Sequence, residues 1–336
     1  MRSALLLVCL LATACAGTAS VPAPSSAPEA VSLFGEPLVS APLPPEVRAD
    51  REAKLADARE DLLKNPDDAD ALIWVGRRTA YLGRYREAIE IFSQGIAKHP
   101  DDARLYRHRG HRYITVRDLG PAILDFEKAA RLIEGKPDEV EPDGLPNAKN
   151  IPTSTLQSNV WYHLGLAHYL KGDFEKALAA YRRCLDVSKN PDMLAATSHW
   201  LYMTLRRLGR EAEAREILTP IRAGLEVIEN DAYLRLLRMY KGEIPPDELR
   251  KGADGDLDPP TLGYGLGNWY LYNGRREEAV KAFREVLAGG QWAAFGYVAA
   301  EADLKRLGEG ARQTPSGPTA TSPPTSPAGP STRPGT

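Results

Sequence analysis

Three positions recur along this chain at one spacing. Gly76, Ala88 and Phe92 return 34 residues later as Gly110, Ala122 and Phe126, then as Gly165, Ala177 and Tyr181, and again as Gly267, Ala279 and Phe283. This arrangement fits a pair of helices that cross closely at the glycine and alanine, with the large ring filling the space between adjacent pairs. A helical hairpin repeated at this period cannot bury its apolar face alone and must stack on copies of itself. The expected fold is therefore all-α: a superhelical solenoid of about five to six hairpins plus a capping helix.

The first full repeat runs from about Ala69 to Pro100, with Gly83 closing its first helix. The second, Ala103 to about Ile133, has Arg117 where that glycine stood, so its turn is expected to differ slightly. The period then breaks. Gly135 to Gln157 inserts about 20 residues carrying four prolines and several acids, an expected loop that either contacts a partner or stays disordered. The third repeat (Trp161, Gly165, Gly172, Ala177, Tyr181) is the sharpest. In the fourth, Tyr202 replaces the crossing glycine. Asn230 to Lys251 reads as a shorter hairpin whose second helix starts at Pro246-Asp247-Glu248. Trp292 to Leu307 is the final covering helix. At the other end, Val47 to Lys64 reads as a helix that is either half a repeat or a dimerisation element.

The two ends have different compositions. Arg2, the short apolar run Ala4 to Ala12, and Ala12-Thr13-Ala14 before Cys15 look like an export signal ending in a lipobox. The mature chain would then start at a lipid-modified Cys15, anchored in a membrane. Residue Ala16 after it is similar to the outer-membrane sorting rule, facing the periplasm. The alternative is a soluble periplasmic or secreted protein, because the same triplet suits ordinary signal peptidase. The expected organisation is a signal over 1–14, a lipidated Ala/Pro/Ser-rich linker over 15–46, the solenoid over 47–308 with its 135–157 insertion, and a disordered Pro/Ser/Thr-rich tail over 309–336. Only Cys184 would remain in the folded part, as a small buried packing residue.

With 43 basic against 45 acidic residues, nothing pulls this chain globally toward nucleic acid. There is no nucleophile elbow, phosphate-binding loop or triad signature, so a non-catalytic protein without cofactor is expected. An enzyme with a site hidden in the groove is the rival class. His108 and His111 share a helix face, but no third ligand lies at metal spacing, and Arg107, Arg109 and Arg112 would repel a cation. First-helix side chains that avoid the packing positions are expected to face the concave surface. By repeat spacing these are Arg77 and Tyr81; Arg104, Arg107 and His111; Tyr162 and Tyr169; His199, Arg206 and Arg207; and Tyr264, Asn268 and Tyr272. Arginine forks and rigid tyrosines would suit an extended acidic peptide or a peptide C-terminus.

The repeated pattern resembles the tetratricopeptide repeat over about Ala69 to Leu307. The Asn/Lys carboxylate clamp of the chaperone-binding members is absent, because Ile73 and Arg77 occupy its first two positions. The overall layout further resembles the bacterial new lipoprotein I family. The segments that carry this likeness are Ser198 to Ala214, Tyr240 to Leu249, Leu266 to Ala288 and Ala299 to Gly308. That resemblance implies an outer-membrane adaptor that forms homodimers and binds murein endopeptidases and a periplasmic protease. The insertion and the long C-terminal tail depart from that pattern. A scaffold for an outer-membrane or secretion machinery is the alternative within the same class.

Overall fold

Helical hairpins follow one another through nearly the whole of the computed structural model, which describes residues 27–222, 224–249 and 258–311. Cys15, the proposed signal and the tail beyond 311 lie outside the described residues. A two-strand hairpin, β1 (Ala30–Val31) with β2 (Pro37–Leu38), precedes α1 (Pro45–Lys64). Then come the pairs α2 (Ala69–Tyr81) with α3 (Tyr85–Lys98), α4 (Ala103–Thr115) with α5 (Leu119–Ile133), α6 (Leu156–Lys171) with α7 (Phe174–Val187), and α8 (Pro191–Arg207) with α9 (Glu211–Ile217). A single helix, α10 (Asp231–Tyr240), separates these from α11 (Asp258–Tyr272) with α12 (Arg276–Ala288), and α13 (Phe295–Arg306) closes the array. The first helices of several pairs start on side-chain caps. Asp68, Asp102, Thr155 and Asn190 each accept a backbone N–H of the first turn. No helix among the described residues is long and apolar enough to cross a membrane.

The recurring triplet is the packing unit of the stack. A β-carbon added at Gly76 would lie 2.4 Å from the Phe92 ring, at Gly110 2.9 Å from Phe126, at Gly165 2.7 Å from Tyr181, and at Gly267 2.6 Å from Phe283. Ala88, Ala122, Ala177 and Ala279 occupy equivalent, fully buried places. Each of the four rings is buried as well, which stabilises the fold by about 1.5–3 kcal/mol per ring. Cys184 is buried where small residues recur, and burial pushes its thiol up to about 11.

Three expectations need correction. Arg117 does not alter its turn: its φ is 69°, beside 77° at Gly83 and 88° at Gly172, and the same backbone bonds close all three turns. A left-handed non-glycine residue costs roughly 1–2 kcal/mol. Here that is offset by anchoring of the side chain, which donates to Glu301 Oε2 (3.0 Å), the Trp292 carbonyl (2.7 Å) and the Thr115 carbonyl (2.5 Å). The C-terminal part of the expected linker is folded. Ala30 and Leu38 are buried, Ser40 donates to the Gly83 carbonyl, and Trp292 Nε1 and Lys305 Nζ donate to the carbonyls of Val39 and Leu33. This stretch is a strap between the first hairpin and α13, held by backbone carbonyls that composition does not reveal.

Residues Pro245–Leu249 form turns instead of starting a helix, and the single helix α10 packs on α8 and α11. Helix α13 covers the last hairpin, as expected of the final helix. It packs on α11 and α12 but also reaches α6, because its acids Glu301 and Asp303 find arginines on earlier hairpins. Helix α1 packs on α2 through Leu55 and Ala58, as the preceding half of a hairpin would.

Candidate functional site

The inner wall of the solenoid divides into two chemically different halves. In the first half, α2 and α4 present Arg77, Arg78 and Arg107, and the inserted segment lies against them as a tied strand. Arg77 Nη2 donates to the Pro142 carbonyl (2.7 Å) and Arg78 Nη1 to the Gly144 carbonyl (2.8 Å), while both guanidiniums lie over the Trp74 ring. Arg107 pairs with Glu141 at 3.0 Å, nearly out of contact with water, and Asn159 donates to the other Glu141 oxygen. Glu141 is held in turn by backbone bonding: its N–H donates to the Ser154 carbonyl, and the Leu156 N–H donates to the Glu139 carbonyl. Glu229 clamps the far end of the segment by accepting from Asn147 and Thr153. The insertion is thus an ordered acidic strand bound in cis.

In the second half, the inward positions form a packed interior. Tyr169, His199, Tyr264 and Asn268 are at most 1% exposed, and Tyr162 is buried too. The Tyr264 hydroxyl donates to Asp303 Oδ2 (2.8 Å) and lies 2.8 Å from the Tyr169 hydroxyl. Arg207 donates to Asp303 Oδ1 (2.9 Å) and Asn268 Oδ1 (3.0 Å); burial, the largest single influence, lowers its pKa, but the Asp303 charge and hydrogen bond together with the Tyr169 and Tyr264 hydroxyls raise it overall. Trp200 stacks on Tyr264 at 5.8 Å and Tyr202 on Tyr240 at 4.5 Å. Burial pushes His199 down to about 3, so its ring is neutral at pH 7.

The positions expected to line one groove therefore separate. Arg77, Tyr81 and Arg107 stay together beneath the acidic strand, although Arg107 is itself buried. His111 is close by, against His163 (ring centroids 4.6 Å) and Phe295 (5.3 Å). Arg104 turns away to pair with Asp102 and Asp70 at the start of α4. Arg206 and Tyr272 remain half-exposed, with the guanidinium 4.3 Å from the ring centroid. Tyr162, Tyr169, His199, Tyr264 and Asn268 are not available to a peptide, because α10 and α13 pack across them. Repeat spacing gave no warning, since these covering helices lie outside the repeat pattern. No group of three His, Cys, Asp or Glu among the described residues is placed to hold a metal ion, and His108 stacks on Phe92 (5.6 Å).

Sequence reasoning singled out neither Glu141 nor Asp303 as a partner of the wall. Both lie outside the repeats, in the insertion and in the covering helix. It read Arg112 only as a deterrent to metal. The guanidinium of Arg112 is half-buried 5.6 Å from the Tyr85 ring centroid, and burial pushes it down to about 10.

Sequence models of the tetratricopeptide repeat match residues 158–191 and 265–291, the third hairpin and the last. This chain carries tetratricopeptide repeats. It is 27% identical over 168 residues to mouse tetratricopeptide repeat protein 12, spanning 48% of this chain and 21% of that protein. It is 27% identical over 141 residues to the BBSome complex member BBS4 of Bos taurus, spanning 42% and 23%. The chain thus spans about a fifth of the length of these curated relatives. A solved tetratricopeptide repeat protein from Parabacteroides merdae covers 76% of this chain, and this chain 93% of it, at 14% identity and a TM-score of 0.47. Tetratricopeptide repeats generally mediate protein–protein contact, and the scaffold is typically non-catalytic.

Proposed function

We propose that this protein is a non-catalytic adaptor of the bacterial cell envelope that holds partner proteins on the first half of its tetratricopeptide wall. One observation carries this reading: the wall already holds an extended acidic strand. Arg77 and Arg78 donate to strand carbonyls, and Arg107 meets a carboxylate. A partner segment of the same chemistry uses the same donors by displacing the Glu139–Gly144 stretch.

The pattern around Cys15 supports lipid anchoring in the outer membrane, with the domain facing the periplasm. The likeness of the C-terminal segments to new lipoprotein I supports murein endopeptidases and a periplasmic protease as partners, and a homodimer as the assembly. The test is a pull-down from crosslinked cells with the unaltered protein and with the Arg77→Glu/Arg78→Glu double variant. Murein hydrolases and the protease are expected with the first and depleted at least tenfold with the second. Recovery of machinery components, equal in both, overturns the reading. Cys15→Ser is expected to release the folded protein from membranes, and retention after that change refutes the anchor.

A further inference from the structure

The strand bound on α2 and α4 shows which features of a segment this wall reads. Arg77 and Arg78 take the Pro142 and Gly144 carbonyls, which every residue type offers. Those two contacts fix the path of the chain and not its sequence. Val140, Pro142 and Leu145 are exposed, so their side chains are left in water.

Two positions are read. Glu141 Oε1 lies 3.0 Å from Arg107 Nη2, and Oε2 accepts from Asn159 Nδ2 at 3.0 Å. Both donors are buried, so a neutral side chain here would leave the guanidinium without its counter-charge. Three residues on, Gly144 is buried against Tyr81. Its φ lies outside the left-handed range, so space and not backbone conformation calls for glycine. A β-carbon there would overlap the Tyr81 hydroxyl and lie 2.6 Å from its ring. That hydroxyl is itself held, accepting from Arg77 Nε at 3.3 Å. Between the two read positions, Asp143 fits poorly. Among the described residues its Oδ2 is enclosed without a hydrogen-bond partner, and burial, then the Glu229 charge, raises its carboxyl.

We infer that this wall selects segments of the form Glu-x-x-Gly, with Arg107 and Asn159 reading the acid, Tyr81 reading the glycine, and an uncharged residue favoured just before the glycine. Residues 139–144 are then a resting occupant, which a partner's segment of that form displaces. The inference rests on the adaptor reading of the same wall and deepens it. A tethered occupant competes at high local concentration, and the poor fit of Asp143 weakens its hold enough for exchange.

The test is fluorescence anisotropy with a labelled, capped octapeptide, Glu-Val-Glu-Pro-Asn-Gly-Leu-Pro, and the full chain carrying Glu141→Gln, which loosens the resting strand and leaves the wall intact. The peptide is expected to bind this chain about fivefold more tightly than the unaltered protein. Glutamine for the second glutamate of the peptide, or alanine for its glycine, is expected to weaken binding at least fivefold, and aspartate for the asparagine at least threefold. Adding Tyr81→Leu is expected to shrink the glycine–alanine difference below twofold. Absence of binding, equal binding of the glycine and alanine peptides, or an unchanged glycine preference in the folded Tyr81→Leu chain overturns the inference. Should the variants fail to fold, the unaltered protein decides. Excess peptide is expected to speed amide exchange at Glu141 and Leu156, whose N–H groups are bonded only while the strand is in place, and the alanine peptide to leave it unchanged. Equal effects of the two peptides overturn the inference. The adaptor reading fails separately. Partners lost in the Arg77→Glu/Arg78→Glu pull-down with no preference among peptides remove the motif alone, and a peptide preference with no partner recovered from cells removes the adaptor alone.

Discussion

The two halves of the inner wall are built on the same repeat register but are stabilised differently. In the second half, α13 lays Asp303 between Arg207 and Tyr264, with Tyr169 edge to face on Trp200 and Trp200 stacked on Tyr264. In the first half the inward arginines meet a strand, which satisfies them chiefly through backbone carbonyls and the carboxylate of Glu141. Inward-facing positions of a solenoid thus become core where a later helix covers them. Where only a loop covers them, they stay exchangeable.

The largest test of this contrast is Asp303→Ala. It leaves Arg207 buried without its carboxylate, and a stability loss of about 3–5 kcal/mol is expected in chemical denaturation. A loss below about 1 kcal/mol would remove the distinction between the halves. Next is Gly165→Leu, whose β-carbon alone would enter the Tyr181 ring. Overpacking is expected to cost about 2–3 kcal/mol, and an unchanged melting temperature would reject the assigned helix crossing.

Acidification gives a third test. Burial pushes His163 and His199 down to about 3, so between about pH 6.5 and pH 3 the unfolded chain binds protons that the native rings refuse. Stability therefore falls as pH is lowered through that window, by up to about 1.4 kcal/mol per pH unit for each ring. Replacing His199 by Gln is expected to remove one such contribution from the slope measured between pH 6 and pH 5. Glu301 and Asp125, whose carboxyls are raised by burial, contribute in the opposite sense and cancel in that comparison. An identical slope in the variant would show that His199 titrates normally.

The smallest expected effect is that of Glu141→Gln. It weakens the Arg107 contact by about 1 kcal/mol and speeds amide exchange over residues 139–155, with little change in the melting of the whole domain. Equal losses in Glu141→Gln and Asp303→Ala would mean that loop and helix cover the wall alike.

The helix pairs were legible in the sequence because each rests on contacts between neighbours in the chain. Gly76 against Phe92 and Gly267 against Phe283 are contacts within one hairpin, and the same spacing recurs wherever they do. The shared placement of Arg77, Tyr81, Arg107 and His111 was legible for the same reason, because they follow the register of α2 and α4. The burial of Tyr169, His199, Tyr264 and Asn268 was not legible. It depends on α10 and α13, and α13 reaches far back along the chain to close over Tyr169 on α6. The turn at Arg117 teaches the same point, because a left-handed arginine is explained only by Glu301 and the Trp292 carbonyl, both far along the chain.

The amino-acid order alone determined an all-helical stack and the place of the recurring hairpin crossings, since helical periodicity and steric size act over a few turns. Which inward side chains become core and which hold a strand were decided only when the two ends of the array came together. Burial and charge pairing depend on what arrives from elsewhere in the chain, and no local pattern encodes that meeting.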